Sequence, residues 1–178
     1  MEKISVIIVN WNVAKSLARC VDSIRATKYS NLEIIVIDNA SSTPIHPQQV
    51  MLIQNKTNVG VPRAWNQGLE RATGDYILIL NPDTLLPVDF FTTAIAYLKS
   101  HPDVGVLGPE FTDPDGSLQG SVFPEPSIIA AIREYWLGQK GLTQKYIPKT
   151  DNRTPITINA ISGACMFLSK SAVAKVGK

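Results

Sequence analysis

GDYILILNPDT, residues 74–84, is the segment that decides the fold of this chain. Its apolar part, Tyr76 to Leu80, is rich in residues that favour β-strands. It runs directly into the polar turn sequence Asn81-Pro82-Asp83-Thr84. Ligands of open α/β sheets bind beyond the carboxyl ends of the strands. This one segment therefore predicts both a core strand and a ligand-binding edge.

Similar apolar runs alternate with helical patterns over the first two-thirds of the chain. Ile4 to Val9 is almost continuously apolar, as expected for a strand covered on both faces. Further strands are predicted at Leu32–Ile37, Val50–Ile53 and Val104–Leu107, and apolar residues at helical spacing predict helices over Val13–Ile24, Ala64–Ala72 and Phe90–Leu98. This alternation predicts an α/β fold, a three-layer α/β/α sandwich with a mostly parallel central sheet.

The pattern is looser beyond Gly108-Pro109. The predictions here are a turn at Asp113–Gly116, extended or irregular chain at Phe123–Pro126, a helix at Ile128–Leu137, a mobile loop at Gln139–Thr154, strands at Ile156–Ile161 and Ala164–Leu168, and the start of a helix at Ser171–Val176.

Composition excludes several classes of protein. Hydrophobic residues make up 44% and charged residues 18% of the 178, an ordinary globular balance. The net charge of +2 and the scattered Lys and Arg residues argue against nucleic-acid binding. Cys20 and Cys165 form no CxxC motif, so we expect small buried hydrophobes rather than a disulfide or metal ligands. With no signal-like or membrane-spanning run, the sequence predicts a soluble, cytoplasmic protein.

Short polar residues follow four successive strands and define the candidate ligand rim. They are Asn10 and Asn12, Asp38 and Asn39, Asn55 and Asn58, and Asn81 and Asp83. Any single Asn here has capping or turn formation as its alternative role. Asp38 is a candidate for accepting the N3–H of uracil or thymine, with capping of the Ser41-Ser42 loop as the alternative.

Asp83 is the candidate metal ligand. Mg²⁺ and similar hard cations prefer oxygen ligands and often take only one or two carboxylates beside phosphate oxygens. The alternative is an N-cap for the helix within Val88–Ser100, although Asp89 lies nearer. His46 and His101 both precede Pro and belong to no nucleophile motif, and neither GxGxxG nor a P-loop is present.

Taken together, these segments resemble glycosyltransferase family 2, especially its rhamnosyltransferase-like members. The resemblance rests on the order and spacing of several blocks: residues 5–12 (SVIIVNWN), 20–24 (CVDSI), 33–42 (EIIVIDNASS), 58–60 (NVG), 65–69 (WNQGL), 74–84, 101–105 (HPDVG), 114–119 (PDGSLQ) and 162–166 (SGACM). It implies the type A glycosyltransferase fold, also called the nucleotide-diphospho-sugar transferase fold. One domain would cover residues 1–178, with a nucleotide-sugar-binding half at 1–109 and the start of an acceptor half at 110–178.

The resemblance also implies an activity, namely inverting transfer of a sugar from a nucleoside-diphosphate sugar, with UDP or dTDP favoured, to a glycan or lipid-linked acceptor. Such a role belongs to cell-surface polysaccharide or glycan synthesis, with membrane association at most peripheral, at the inner membrane face. The cofactor would be Mn²⁺ or Mg²⁺ at Asp83. The nucleotide-binding residues would be Val9, Asn10, Trp11, Asp38, Asn39, Asn58, Asn66 and Asn81, and Ser162, Gly163 and Ala164 would border the diphosphate or acceptor.

Three departures from the family pattern qualify these expectations. Asn81 replaces the first carboxylate of the Asp-x-Asp metal motif. Trp65 stands where many members have Arg, and Arg63 does not share its helix face. The acidic general base is expected beyond Lys178, so the domain would be incomplete at its C-terminus and inactive or weakly active. The alternatives are a non-catalytic nucleotide-sugar-binding module, a nucleotidyltransferase and a simple interaction protein.

Overall fold

The structure, a computed structural model, describes residues 1–148 and 154–177. Within these residues the strands are β1 (Ile4–Asn10), β2 (Leu32–Asp38), β3 (Met51–Gln54), β4 (Tyr76–Leu80), β5 (Val106–Leu107), β6 (Phe111–Thr112), β7 (Leu118–Gln119), β8 (Val122–Phe123), β9 (Ala160–Ile161) and β10 (Cys165–Ser169). The helices are α1 (Ala14–Ala26), α2 (Val61–Arg71), α3 (Phe90–Ser100), α4 (Ile128–Tyr135) and α5 (Lys170–Val176). The chain forms two compact units, one of Met1–Leu107 with the segment from Gly163 onward, the other of Gly108–Ser162.

The first unit is built on a six-stranded sheet with the order β3-β2-β1-β4-β10-β5. Strands β3, β2, β1 and β4 are mutually parallel, whereas β10 runs antiparallel to both β4 and β5. In the register of this sheet, Ile7 of β1 lies between Ile35 of β2 and Ile79 of β4. The predicted mostly parallel α/β sheet is thereby confirmed.

Helices cover both faces of this sheet. Alternate residues of each strand point to opposite sides, and both sets are apolar, so both faces need a covering layer. On one face, Ile7, Ile35 and Ile79 pack with Ala64 of α2, and Met166 of β10 joins them. On the other face, Phe167 of β10 contacts Phe91 of α3 at a ring-centroid distance of 6.4 Å. Cys20 of α1 lies on this second face, beside Cys165. The helices and the sheet thus form the predicted three layers.

Gly68 allows α2 to approach the sheet closely. A Cβ atom added at this position would lie 2.4 Å from Ile7 Cγ2 and 3.1 Å from Ile37 Cδ1. Neither distance is compatible with ordinary van der Waals contact, so any side chain here would push the helix away from β1 and β2.

The second unit contains short, antiparallel elements. Strands β6 and β7 form a hairpin at the predicted Asp113–Gly116 turn, where Gly116 has φ +86°. Strand β8 pairs with β9, and α4 follows after irregular chain. No helix within the described parts of the chain is both long and apolar enough to cross a bilayer.

Two sequence-based strand predictions were wrong in extent. Only Ala160–Ile161 of the predicted strand Ile156–Ile161 is extended and paired, and only Val106–Leu107 of Val104–Leu107. In both cases the neighbouring strand offers few partners, since β9 pairs with the two-residue β8 and β5 meets only part of β10. The predicted loop at 139–154 is irregular over residues 139–148, and its remainder to residue 153 lies outside the described residues.

A polar cluster closes the sheet at the amino ends of its strands. The Glu33 carboxylate accepts hydrogen bonds from Lys3 Nζ at 2.7 Å, from Thr73 N at 2.7 Å and from the Ser5 hydroxyl. Burial by itself raises the pKa of Glu33, but the hydrogen bonds from Lys3, Ser5 and Thr73 outweigh burial and lower that pKa to about 2. The ionised form of Glu33 is therefore the one that stabilises the fold.

We expect Glu33→Gln to lower the free energy of unfolding at neutral pH by about 1–3 kcal/mol, because it removes charge-assisted hydrogen bonds. A group whose pKa falls on folding stabilises above its unfolded pKa, here 4.5, and loses that effect as the pH falls through its folded pKa of about 2. Urea unfolding at pH 7, 4 and 3 should show the difference between wild type and variant shrinking below pH 4.5. Glu110→Gln, at an exposed glutamate outside the cluster, is the control, and an equal loss in both variants would contradict the assignment.

Candidate functional site

The carboxyl ends of the parallel strands form one polar edge of the first unit. Asn10, the last residue of β1, pairs in register with Asp38, the last residue of β2, which in turn pairs with Gln54 of β3. Strand β4 ends at Leu80, immediately before Asn81. The structure thus places the predicted polar residues of four strands along one edge of the sheet.

Asp38 is held rigidly at this edge. Its Oδ1 accepts hydrogen bonds from Asn10 Nδ2 at 2.8 Å and from Ser41 Oγ at 2.6 Å. Its Oδ2 receives a longer contact, 3.4 Å, from Ser41 N. The loop-capping role that the sequence offered as an alternative is therefore present. The weakly engaged Oδ2 still has lone pairs to accept a ligand donor, so capping and base recognition are compatible in this geometry.

Asn10 carries an unpaired acceptor in the same cluster. The residue is fully buried, and its Nδ2 also donates to Ser41 Oγ at 3.0 Å. Among the described residues, its Oδ1 is the buried side-chain atom that lacks a hydrogen-bond partner. Such orphaned acceptors are rare and costly in folded proteins, and they often mark functional sites.

The loops after β1 and β2 are tied together beside Asp38. Asn12 has the left-handed φ of +58° and accepts hydrogen bonds on its Oδ1 from Ser42 N at 2.8 Å and Ser42 Oγ at 2.9 Å. Asn12 N donates to Ser41 Oγ at 2.9 Å. Between the two asparagines, Trp11 remains 55% exposed. The edge therefore presents a large exposed aromatic residue directly after Asn10, the residue that bonds to Asp38.

Asn39 and Asn58 brace the next loop rather than cap a helix. Asn39 Nδ2 donates to Asn58 Oδ1 at 2.7 Å, and Asn39 Oδ1 accepts from Val59 N at 3.0 Å. Asn55 joins them and exchanges two 2.9 Å amide hydrogen bonds with Gln67 of α2. None of these asparagines is the N-cap of α1 or α2, since those positions are held by Val13 and Gly60. The turn role considered as the alternative is present at Asn58, whose Oδ1 accepts a hydrogen bond from Gly60 N at 2.9 Å.

Three helices begin after the parallel strands without side-chain caps. The N-cap residues Val13 of α1, Gly60 of α2 and Asp89 of α3 make no side-chain capping hydrogen bond, whereas Ser127 and Ser169 cap α4 and α5. The first backbone N–H groups of an uncapped helix are free to bind an anion. Gly60 has φ +81°, a conformation that glycine adopts without strain.

Asp83 lies in a tight turn directly after β4. Thr84 N donates to Asn81 O at 3.2 Å, and Asn81 N donates to Ala164 O at 2.8 Å. Asp83 is exposed and seven residues before the start of α3, so it is not the cap of that helix. Asp89 occupies the N-cap position but makes no capping hydrogen bond through its side chain, contrary to expectation.

The donor atoms around this turn fit a metal ion that is bound partly by phosphate oxygens and water, rather than one bound by protein side chains alone. The described part of the chain holds no group of three or more His, Cys, Asp or Glu side chains that could enclose a metal. The turn after β4 offers one exposed carboxylate, Asp83, two residues from the amide of Asn81. One carboxylate with phosphate oxygens and water is a common ligand set for Mg²⁺ and similar cations.

The remaining predicted site residues divide between the two units. Val9 is half-buried in β1 and packs against the core, and Asn66 is half-buried on α2. Gly163 and Ala164 belong to the first unit and adjoin Asn81 through the Ala164 carbonyl. Ser162 belongs to the second unit, where its N–H donates to Ser121 O at 2.9 Å.

The two cysteines are excluded as nucleophiles. Both are free and fully buried, as the sequence predicted. Burial raises the pKa of each thiol to about 12, so the reactive thiolate is absent at neutral pH.

Two residues of the site had not been assigned from the sequence. Ser41 bonds to Asn10, Asn12 and Asp38, and the sequence indicates it only as part of the loop that Asp38 would cap. Gln67 is hydrogen-bonded to Asn55, 12 residues earlier in the chain, and no local sequence pattern predicts this contact.

Comparisons with known proteins point to a single protein family. Residues 5–177 match the family described as Glycosyl transferase family 2. "Putative glycosyltransferase EpsE" of Bacillus subtilis is 33% identical over an alignment 144 positions long, which covers 72% of this chain and 51% of that protein. "Poly-beta-1,6-N-acetyl-D-glucosamine synthase" of Staphylococcus aureus is 25% identical over a gapped alignment 188 positions long, which covers 99% of this chain and 42% of the synthase. The chain thus spans about half the length of these relatives.

Solved structures show the same fold at low sequence identity. A mannosyltransferase from Pyrobaculum calidifontis, in complex with GDP-Man and Mn²⁺, has a TM-score of 0.65 and 18% identity, with 99% of this chain and 47% of that chain covered. Residues 1–349 of S. aureus TarS, in complex with UDP-GlcNAc, have a TM-score of 0.57 and 22% identity, with 69% and 38% covered. These similarities identify the type A glycosyltransferase fold predicted from the sequence.

We expect Asn39→Ala to destabilise the loop at residues 55–60, because it removes three hydrogen bonds at once. The free energy of unfolding should fall by about 1–3 kcal/mol. Amide hydrogen exchange at Val59 should accelerate, as measured by NMR. The control is Asn31→Ala, which removes one exposed hydrogen bond to Met1 O. Unchanged exchange at Val59 would show that Asn39 does not brace this loop.

Proposed function

The chain belongs to glycosyl transferase family 2, and we propose that it binds a nucleoside-diphosphate sugar at the carboxyl edge of its parallel strands. The protein of which it forms part would transfer that sugar to an acceptor hydroxyl. The observation that carries this proposal is the alignment of Asn10, Asp38 and the Asn81–Asp83 turn along one edge of the sheet. Cell-surface polysaccharide or glycan synthesis is the role we propose, supported by the relative named as a poly-beta-1,6-N-acetyl-D-glucosamine synthase.

The environment of Asp38 supports recognition of a pyrimidine base. A carboxylate accepts the N3–H of uracil or thymine, and Asp38 Oδ2 has only a 3.4 Å contact of its own. The exposed side chain of Trp11 offers a face on which a planar base would stack. We therefore propose UDP or dTDP as the nucleotide of the donor, with Val9, Asn10, Asn39, Asn58 and Asn66 shaping the binding edge.

The uncapped helix N-termini and Asp83 support a diphosphate site next to the base. The positive ends of α1 and α2 favour a bound anion. We propose that Asp83, assisted by Asn81, holds Mn²⁺ or Mg²⁺ together with the diphosphate. The bound cation would neutralise the charge that develops on the leaving nucleoside diphosphate.

For the transfer itself we propose inversion at the anomeric carbon. The acceptor oxygen attacks this carbon and a carboxylate takes the hydroxyl proton, while the bond to the diphosphate oxygen breaks and its electron pair leaves with the nucleotide. We assign no catalytic base among the described residues. A non-catalytic role in binding the nucleotide sugar is therefore the alternative, and a sugar-transfer assay distinguishes the two.

Calorimetric titration with UDP, dTDP and GDP, with and without Mn²⁺, tests the proposed donor site. We expect UDP or dTDP to bind in a Mn²⁺-dependent manner, and Asp83→Ala to weaken this binding at least tenfold, or by about 1.4 kcal/mol. Asp103→Ala, at an exposed aspartate before β5, should bind like the wild type.

Each result decides a different part of the proposal. No binding of any nucleotide would contradict a donor site in this chain. Mn²⁺-independent binding, or unchanged binding by Asp83→Ala, would contradict the role of Asp83 alone. Preference for GDP would contradict base recognition through a single N3–H donor.

The α4 segment supports a proposed peripheral association with membranes. Ile128, Ile129, Ile132, Tyr135 and Trp136 form one apolar face, and their side chains are 47–85% exposed. Residues 127–148 carry three cations, Arg133, Lys140 and Lys145, against the single carboxylate of Glu134. An apolar helix face with Trp and Tyr beside basic residues suits the interface of an anionic bilayer. We propose this surface as the one that meets the membrane carrying a lipid-linked acceptor.

The free cysteines support a reducing compartment, the cytoplasm.

Flotation with phosphatidylglycerol-containing vesicles tests the α4 surface. We expect the wild type to float with the vesicles, and the double variant Ile128→Ser/Trp136→Ser to lose at least five-sixths of this binding, or about 1 kcal/mol or more. Val88→Ser, which removes an apolar side chain that is 68% exposed and lies outside α4, should float like the wild type. Absence of the wild type from the floated fraction would contradict the proposal, and dimerisation lost in the double variant would assign the surface to a second copy.

A further inference from the structure

Trp65 lies directly over Gly163, a residue 98 positions later in the chain. A Cβ atom added at Gly163 would lie 2.7 Å from Trp65 Cη2, 3.4 Å from Cζ2 and 3.8 Å from Cζ3. At 2.7 Å either the added methyl group or the indole ring would have to move, so only glycine fits while the ring keeps this position. Both residues belong to the first unit.

Gly163 begins the segment that is bonded to the turn carrying Asp83. The carbonyl of Ala164 accepts the hydrogen bond from Asn81 N at 2.8 Å. Immediately afterwards, Cys165 pairs with Leu80 as β10 runs antiparallel to β4. A displacement of Gly163 by the width of a methyl group would therefore be transmitted to Asn81 through one residue and one hydrogen bond.

The opposite side of the turn also has a fixed neighbour. Cys20 Sγ of α1 lies 3.6 Å from Asn81 O, the carbonyl that also accepts from Thr84 N. Asn81 is thus held through its N–H by Ala164, while its carbonyl contacts α1. Asp83, two residues later, has its backbone position set by this arrangement.

We infer that Trp65 is a positioning residue for the metal and diphosphate site. Its indole ring holds Gly163 and Ala164 against Asn81 and so fixes the turn on which Asp83 stands. This inference rests on the proposed function only in the identity of the ligand that Asp83 meets. The contact itself is a property of the protein without ligand.

The test combines Gly163→Ala with a smaller ring at position 65. Gly163→Ala places a methyl group against the indole ring, and we expect amide hydrogen exchange at Asn81, measured by NMR without nucleotide, to accelerate at least tenfold. Mn²⁺-dependent affinity for UDP should fall at least tenfold as well. In Gly163→Ala/Trp65→Phe the shorter ring makes room for the methyl group, so both quantities should return to within about threefold of wild type. Gly105→Ala, whose added methyl group would meet only Ala172 Cβ at 3.7 Å, is the matched control.

If Trp65 only filled space, Gly163→Ala/Trp65→Phe would be at least as impaired as Gly163→Ala, both in amide exchange at Asn81 and in affinity for UDP. That outcome, or unchanged exchange at Asn81 in Gly163→Ala, would overturn the inference. If the wild type binds no nucleotide, the proposed function fails, yet the exchange measurements at Asn81 still decide the role of Trp65.

Discussion

Burial of the parallel strands on both faces is the constraint on which the rest of this structure depends. Strands β1, β2 and β4 are enclosed by helices, so their side chains are apolar along almost their whole length. Polar groups first appear where the strands end, and the register aligns these ends, with Asn10 opposite Asp38. Because both faces of the strands are buried, the polar residues are confined to the strand ends, and these ends together form the ligand rim.

The same constraint explains why the polar residues at the rim bond to one another. Asn10 and Asp38 lie at the margin of the core and are 0% and 4% exposed. Burying such groups without partners would cost several kcal/mol, roughly 2–7 for an amide. Ser41 and the Asn39–Asn58 pair offset this cost and fix the loops at the same time. The rim is thus preorganised before any ligand arrives, and Asn10 Oδ1 is left as an acceptor without a partner.

The sequence was sufficient for the core strands because their pattern is local. The apolar runs at Ile4–Val9, Leu32–Ile37 and Tyr76–Leu80 agree with the structure within a residue at each end. The prediction for Ile156–Ile161 was wrong because an extended apolar segment becomes a strand only where a partner is available. At the rim the polar residues were identified, but whether an asparagine braces a loop or faces a ligand depends on neighbours distant in sequence. Gln67 beside Asn55 and Trp65 over Gly163 are such contacts.

The direction of β10 determines why a late segment of the chain reaches this rim. A parallel strand beside β4 would bring its last residue to the carboxyl edge, as β1 and β2 do. Because β10 is antiparallel, it brings its beginning there instead, with Cys165 opposite Leu80. The residues just before β10, Gly163 and Ala164, must then lie beside the Asn81 turn, and the helix that lines this edge must meet them with a side chain. In this chain that side chain is the indole of Trp65, which lies so close to Gly163 that a Cβ atom there would be 2.7 Å from its Cη2.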